Sequence, residues 1–197
     1  MVYGEVWYQE EAPSDAGVDI VVYRQRTSPV ANALQAPSML LLTDLTVDAD
    51  AIAGAFDTTC RYHIRRAGKN DGLAMEFIAD PVSRLEEFRT FYDAFAQQKS
   101  IWLADMDWLV AACRSRQLAL TVATRDGEPL VWHAYVMFEN TAGLQYSCSC
   151  FRDRDRDYRA RVARANRWLH WQDMLQLKER GITRYDWGGL FADESTA

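Results

Sequence analysis

The chain has 197 residues, with a hydrophobic share of 49%, an aromatic share of 12% and a charged share of 25%. That suffices for one buried core and excludes a disordered, collagen-like or disulfide-stapled chain. The net charge of −6 argues against a general nucleic-acid binder, and apolar runs such as Met39 to Leu42 fall far short of the roughly 20 residues of a membrane-spanning helix.

YGEVWYQ and VDIVVYRQ open the chain with strand-like β-branched and aromatic content, separated by turn residues Pro13, Ser14, Asp15 and Gly17. Residues 27–38 are rich in Ser, Pro, Ala and Asn and read as a loop. MLLLTDL then predicts a buried strand. Val47, Ile52, Ala55 and Phe56 are spaced for a short helix capped by Asp48. TCRYHIRRA fits either a strand or a short helix, and LAMEFIAD a strand, with a turn at Lys69–Gly72 between them. Residues 81–98 predict a helix, with Pro81 in its first position and Asp80 as cap. A second helix over 105–116 is capped by Asp105.

LALTVAT, an Asp126-Gly127 turn, and PLVWHAYVMF predict a hairpin. A turn at Asn140–Gly143 and the strand LQYSCSCF extend it to a three-strand antiparallel meander. A long helix follows over about 158–180, closed by Gly181, and RYDWGG makes a last strand. The order is that of an α+β fold in one domain, with residues 1–36 as N-terminal strands and loop and 37–197 as the core.

Charge is unevenly spread. Residues 1–57 hold only Arg24 and Arg26 as cations, whereas Arg152 to Arg167 hold seven arginines. The first 20 residues carry no cation, so no export signal is read and a cytoplasmic protein is expected. Cys60, Cys113, Cys148 and Cys150 lack zinc spacing and read as small buried hydrophobes in a reducing compartment. No metal is expected.

Three stretches carry a family likeness. These are Arg164-Ala165-Asn166-Arg167-Trp168-Leu169-His170-Trp171, Lys178-Glu179-Arg180-Gly181 and Tyr185-Asp186-Trp187-Gly188-Gly189. With Ile64-Arg65-Arg66-Ala67 and Lys69, they resemble the FemAB-like branch of the GNAT acyltransferase superfamily over residues 58–190. The resemblance implies a mixed, mostly antiparallel sheet flanked by helices. It implies transfer of an acyl or aminoacyl group from acyl-CoA or tRNA to an amine or hydroxyl. Implied acceptors are peptidoglycan or polysaccharide precursors and small amines. The chain departs from the family pattern in two ways. Asp157 to Asn166 contains no glycine where CoA-dependent members grip pyrophosphate. The family's final sheet segment is also expected to be missing, or supplied by a partner copy in a homodimer.

Arg159, Arg161 and Arg164 stand at the start of the long helix, where the dipole also favours anions. With Asn166 they are the candidates for holding the donor's phosphates. His133, in the middle meander strand, is the candidate base, on the face it shares with Val131 and Tyr135. Tyr185 and Asp186 fall in the family signature, and Asp186 is expected either to orient His133 or an amine, or to hold a turn. Tyr146 is expected chiefly to pack, His170 to bridge the long helix to the last strand, and His63, among arginines, to be a poor base. The competing expectation is a GNAT-fold binding or assembly module without catalysis in envelope polysaccharide synthesis.

Overall fold

A computed structural model describes residues 2–9, 17–36, 38–149, 151 and 154–190. Cys150, Arg152, the turn residues Pro13, Ser14 and Asp15, and residues 191–197, which bear on the final sheet segment, lie outside the described residues. The chain divides into two compact units, the larger spanning Leu40–Gly189. In the smaller unit, β1 (Tyr3–Trp7) and β2 (Ile20–Arg24) pair in parallel, Tyr3 with Ile20 and Trp7 with Arg24.

The main sheet has six strands in the order β3-β8-β7-β6-β5-β4. These are β3 (Met39–Asp44), β4 (Leu73–Ile78), β5 (Leu118–Arg125), β6 (Glu128–Phe138), β7 (Thr141–Ser149) and β8 (Arg184–Leu190). β4 to β7 form antiparallel neighbours, and β7 pairs with β8 in parallel. The helices are α1 (Ala49–Gly54), α2 (Thr58–Asn70), α3 (Leu85–Lys99), α4 (Met106–Arg114) and α5 (Arg156–Glu179). This is the expected α+β architecture, a mostly antiparallel sheet flanked by helices.

Local chemistry accounts for the elements. Asp48, Asp57, Asp105 and Asp155 cap α1, α2, α4 and α5 by accepting from Ala51, Cys60, Trp108 and Tyr158 backbone N–H groups. The β5–β6 turn places Asp126 at φ +53° and Gly127 at φ +85°, as a two-residue hairpin requires. α5 ends where Gly181 takes φ +84° and donates its N–H to the Lys178 carbonyl.

One alternative is settled and three expectations are corrected. Of the two readings of TCRYHIRRA the helix is the one that forms, because Asp57 caps it and Ala67 is its buried contact position. The 81–98 helix begins instead with a 3₁₀ turn over Val82–Arg84, and no side chain caps it or α3. The meander's second turn falls at Glu139–Asn140, with Glu139 at φ +48°, and Thr141–Gly143 already pair with Phe138–Val136. MLLLTDL is an edge strand with Met39, Leu41 and Leu42 exposed, since only β8 flanks it.

Alternation along β6 divides the core. Trp132 and Ala134 face one side, where Leu109, Phe88 and Tyr92 of α3 and α4 cover them. Val131 and Tyr135 face the other, against Val162, Ala165 and Leu169 of α5 and, nearer its end, Met174 and Leu177. Full burial of each leucine, valine, methionine or phenylalanine among them contributes about 1.5–3 kcal/mol. Lys178 locks the end of α5 to the chain before α1 by donating to the carbonyls of Leu45, Thr46 and Val47.

Candidate active site

On the α5 face, β6 brings His133 and Tyr135 to one side because strand side chains alternate. α5 presents Asn166, His170 and Asp173, which recur at i, i+4 and i+7 and therefore share one helix face. β8 adds Tyr185. His133, Asp173, Tyr135 and Tyr185 are all fully buried.

One chain of hydrogen bonds links them. Asp173 Oδ2 accepts from Tyr135 O–H at 2.6 Å and lies 2.7 Å from His133 Nδ1. Tyr135 and Tyr185 hydroxyls are 2.8 Å apart, and Tyr185 O is 2.7 Å from His170 Nδ1. His133 Nε2 meets the Asn166 amide at 3.1 Å. The two imidazoles stack, with centroids 4.1 Å apart and 28° between planes.

Proton counting fixes the direction of this chain. Each phenol has one proton. Tyr135 gives its proton to Asp173, so Tyr185 must donate to Tyr135, and Tyr185 then has none left for His170. His170 Nδ1 therefore carries the hydrogen, and Nε2 is an unprotonated lone pair. That nitrogen hydrogen-bonds to no described residue, and it is not among the fully buried unpartnered atoms, which are His63 Nδ1, Thr121 Oγ1, Trp132 Nε1 and Asp173 Oδ1. His170 itself is half-buried, with its ring 4.8 Å from that of Trp187.

The electrostatics agree. Burial, reinforced by His133, pushes the His170 pKa well below the ordinary histidine value, so the ring is neutral. Burial, with Asp173 next, lifts Tyr135 and Tyr185 well above the usual phenol value, so both keep their protons.

The expected residues fall as follows. His133 is in the cluster, but both its ring nitrogens are engaged and it is fully buried. Tyr185 is the link to His170. His170 does bridge α5 to the last strand, and it is also the ring with an open nitrogen. Asp186 accepts from the Gly188 N–H at 2.8 Å, a turn-holding contact. Gly188 has φ +93°, and a Cβ there would lie 3.4 Å from the Leu144 carbonyl oxygen, so glycine lets β8 pass close to β7. Asn166 is spent on His133, and Arg164 forms a two-point ion pair with Asp71 at 2.7 and 2.9 Å. Arg159 is exposed and Arg161 half-buried. Tyr146 packs among Phe88, Tyr92 and Trp108, and its hydroxyl accepts from the Asp105 N–H at 3.3 Å.

Sequence reasoning passed over Tyr135 and Asp173 as site members. The signal was the Asn166, His170, Asp173 spacing, a polar stripe beside the apolar face of a helix. The described cysteines are not activated, and only Cys148 is buried as expected; Cys60 and Cys113 are half-buried, and partial burial raises the pKa of each, with Asp57 and Asp80 adding to it.

His133, His170 and Asp173 offer ligand atoms within 4.8 Å of one another. Stacked rings send their in-plane lone pairs side by side rather than to one point, and three of the four ring nitrogens already have partners. The set is built as a proton-relay chain more than as a metal cradle. A shallow depression of about 440 Å³, lined by Glu86, Glu87, Thr90, Phe91 and Pro129, lies by α3 on the opposite side of the sheet.

Sheet order, parallel β7–β8 pairing and the helix arrangement define a GNAT-like acyltransferase fold. Among solved structures, the chain is similar to FemX, with a TM-score of 0.62 and 13% identity over 80% of this chain and 55% of that one. It is also similar to the C-terminal DUF2156 domain of a protein from Agrobacterium fabrum assigned as a lysylphosphatidylglycerol synthetase, with a TM-score of 0.57, 18% identity, and 80% and 48% of the two chains covered. L-PGS from Bacillus licheniformis gives a TM-score of 0.54 and 14% identity, with 81% and 47% covered. The chain thus spans about half the length of these structures. No family model matches the sequence, and no curated protein sequence matches it significantly.

Proposed function

We propose that this protein transfers an acyl or aminoacyl group to an amine or hydroxyl of a cell-envelope precursor. The observation that carries the reading is the open Nε2 of a neutral His170, held in one tautomer by a buried chain ending at Asp173. Likeness in fold to FemX and to lysylphosphatidylglycerol synthetases supports an aminoacyl rather than a simple acetyl donor. Among the described residues, no helix is long and apolar enough to cross a membrane.

In this reading the acceptor's nitrogen or oxygen attacks the donor carbonyl directly. Its proton passes to His170 Nε2. The Nδ1 proton can then shift to Tyr185 as Tyr185 gives its own to Tyr135 and Tyr135 gives its own to Asp173. The added proton thus ends by neutralising the Asp173 carboxylate, and the His170 ring stays neutral instead of carrying a buried positive charge. Returning the proton along the same path protonates the leaving group. General-base help of this kind contributes about 10²–10⁴ in rate.

The test is label transfer from radiolabelled aminoacyl-tRNA or acyl-CoA to glycan-precursor and small-amine acceptors. Transfer from aminoacyl-tRNA, cut about 10²–10⁴-fold by His170→Asn, is the expected result. Transfer that is indifferent to His170→Asn removes the base from the mechanism. No transfer from either donor would leave the binding-module reading in its place.

A further inference from the structure

The side of the sheet away from the α5 cluster carries an apolar tip. Between α3 and α4, Ile101, Trp102 and Leu103 are 48%, 91% and 53% exposed. The backbone beneath them is pinned at both ends. Ser100 takes the left-handed conformation that closes α3, and the Ile101 N–H donates to the Ala96 carbonyl at 3.1 Å. On the far side, the Ala104 N–H donates to Asp93 Oδ1 at 2.9 Å and the Asp105 N–H to the Tyr146 hydroxyl at 3.3 Å. Three consecutive apolar side chains are thus held outward on a fixed loop, and a contiguous exposed patch of this kind marks an interaction site.

α3 also carries a place for such a tip. The depression of about 440 Å³ is lined by Phe91, Pro129 and the side chains of Glu86, Glu87 and Thr90, a size that takes a ring system. Along the outer stripe of α3, Glu87, Thr90, Ala94 and Gln97 are exposed, and the same spacing leads on to Ile101. Ala94 is the midpoint, with Glu87 seven residues before it and Ile101 seven after, about 10 Å each way at the helical rise. A two-fold axis through Ala94, with α3 antiparallel to its copy, lays the Trp102 tip of each chain over the depression of the other. The charges agree with that pairing. α3 is acidic in its first turn, at Glu86 and Glu87, and basic in its last, at Lys99, so the antiparallel order sets Lys99 against acids of the other copy. Glu86 and Glu87 each give Oε2 to an arginine of their own helix or the turn before it, and both side chains stay exposed. Between these charged ends the stripe is uncharged at Thr90, Ala94 and Gln97, as the centre of an interface is.

We propose that the outer face of α3 is the interface of a homodimer in which Trp102 of each copy fills the depression beside Phe91 of the other. Tryptophan in a pocket is the commonest kind of interface anchor, and the two-fold supplies two of them. A bilayer is the poorer occupant, because exposed Asp105 and Asp107 stand beside the tip and anionic lipid repels them. This interface is separate from the sheet-edge pairing that the family pattern implies. It is also independent of acyl transfer, since α3 and α5 cover opposite faces of the sheet and His170 stays outside the pairing.

The experiment is sedimentation velocity of the whole chain from about 1 to 100 μM, the range in which a small interface with two anchors dimerises. A concentration-dependent dimer is expected. Trp102→Ser removes the knob and Thr90→Arg fills the depression, and each should weaken the dimer about 30-fold or more. Both positions are exposed, so Tm should stay unchanged and a lost dimer is not a lost fold. The decisive sample is an equimolar mixture of the two variants. Each variant alone loses both contacts, whereas the mixed pair keeps one, Trp102 of the Thr90→Arg copy in the open depression of the Trp102→Ser copy. The mixture should therefore dimerise more tightly than either variant, which a merely adhesive loop does not produce. A monomer over the whole range, a dimer indifferent to either substitution, or no recovery on mixing would overturn the proposal. So would a monomer that binds phosphatidylglycerol vesicles through Trp102.

Discussion

Tyr135→Phe is the most revealing single change, because it removes one oxygen and keeps the ring. Tyr135 is fully buried, and its hydroxyl donates to Asp173 Oδ2 at 2.6 Å and meets the Tyr185 hydroxyl at 2.8 Å. A hydrogen bond to a charged group contributes about 1.5–3 kcal/mol and a neutral one about 0.5–1.5. The expected loss of stability is about 2–4 kcal/mol, with Asp173 keeping His133 as its remaining partner. For a chain of this size each kcal/mol moves Tm by roughly 2–4 °C, so calorimetry should show a drop of about 5–15 °C. A second consequence is specific to the hydrogen-bond order. Without Tyr135 to receive its proton, Tyr185 can donate to His170 Nδ1, which drives the ring to the opposite tautomer and places a hydrogen on Nε2. Nitrogen NMR of the His170 ring reads that change directly. A stability loss under about 1 kcal/mol, or a His170 that keeps its Nδ1 hydrogen in the variant, would refute the reasoning.

Two further outcomes follow from the same geometry. The folded-state pKa of His170 lies well below its unfolded value, so the unfolded chain takes up the proton first. Stability is therefore intact above about pH 6.5 and falls below it by up to about 1.4 kcal/mol per pH unit for this one proton. Urea midpoints in acid should fall less steeply in His170→Gln, with His63 and, at lower pH, Asp44, whose pKa values are also lowered, contributing to the slope that remains. Equal slopes in both proteins would rule out a neutral His170. Gly188→Ala must hold φ +93° with its Cβ 3.4 Å from the Leu144 oxygen, which should cost about 1–3 kcal/mol; a melting curve unmoved by the change would mean that β8 passes β7 with room to spare.

Most of the architecture is legible in the sequence because it rests on local rules. Asp-Gly at 126–127 requires one kind of turn, Asp48 and Asp105 cap the helices they precede, and Gly181 ends α5. The misreadings came where tertiary surroundings decide. MLLLTDL has the content of a buried strand, yet its place at the sheet edge exposes Leu41 and Leu42. TCRYHIRRA shows no clean period, because its cations lie on the outward face and only Ala67 is fully buried.

The site was half legible for a related reason. Alternation placed His133 and Tyr135 on one face of β6, and helical spacing placed Asn166, His170 and Asp173 on one face of α5. Neither pattern says that the two faces meet. That juxtaposition depends on α5 crossing β6, which is a property of the sheet order. Nor can spacing rank two histidines. His133 looked like the base because it sits on the central strand, and that centrality is what buries it and engages both its nitrogens. His170, at the periphery of the same cluster, keeps a nitrogen open because the hydroxyls behind it all point inward to Asp173. In a buried chain of single-proton donors, the group farthest from the carboxylate is left holding the free lone pair, and that position suits a group that must meet a substrate.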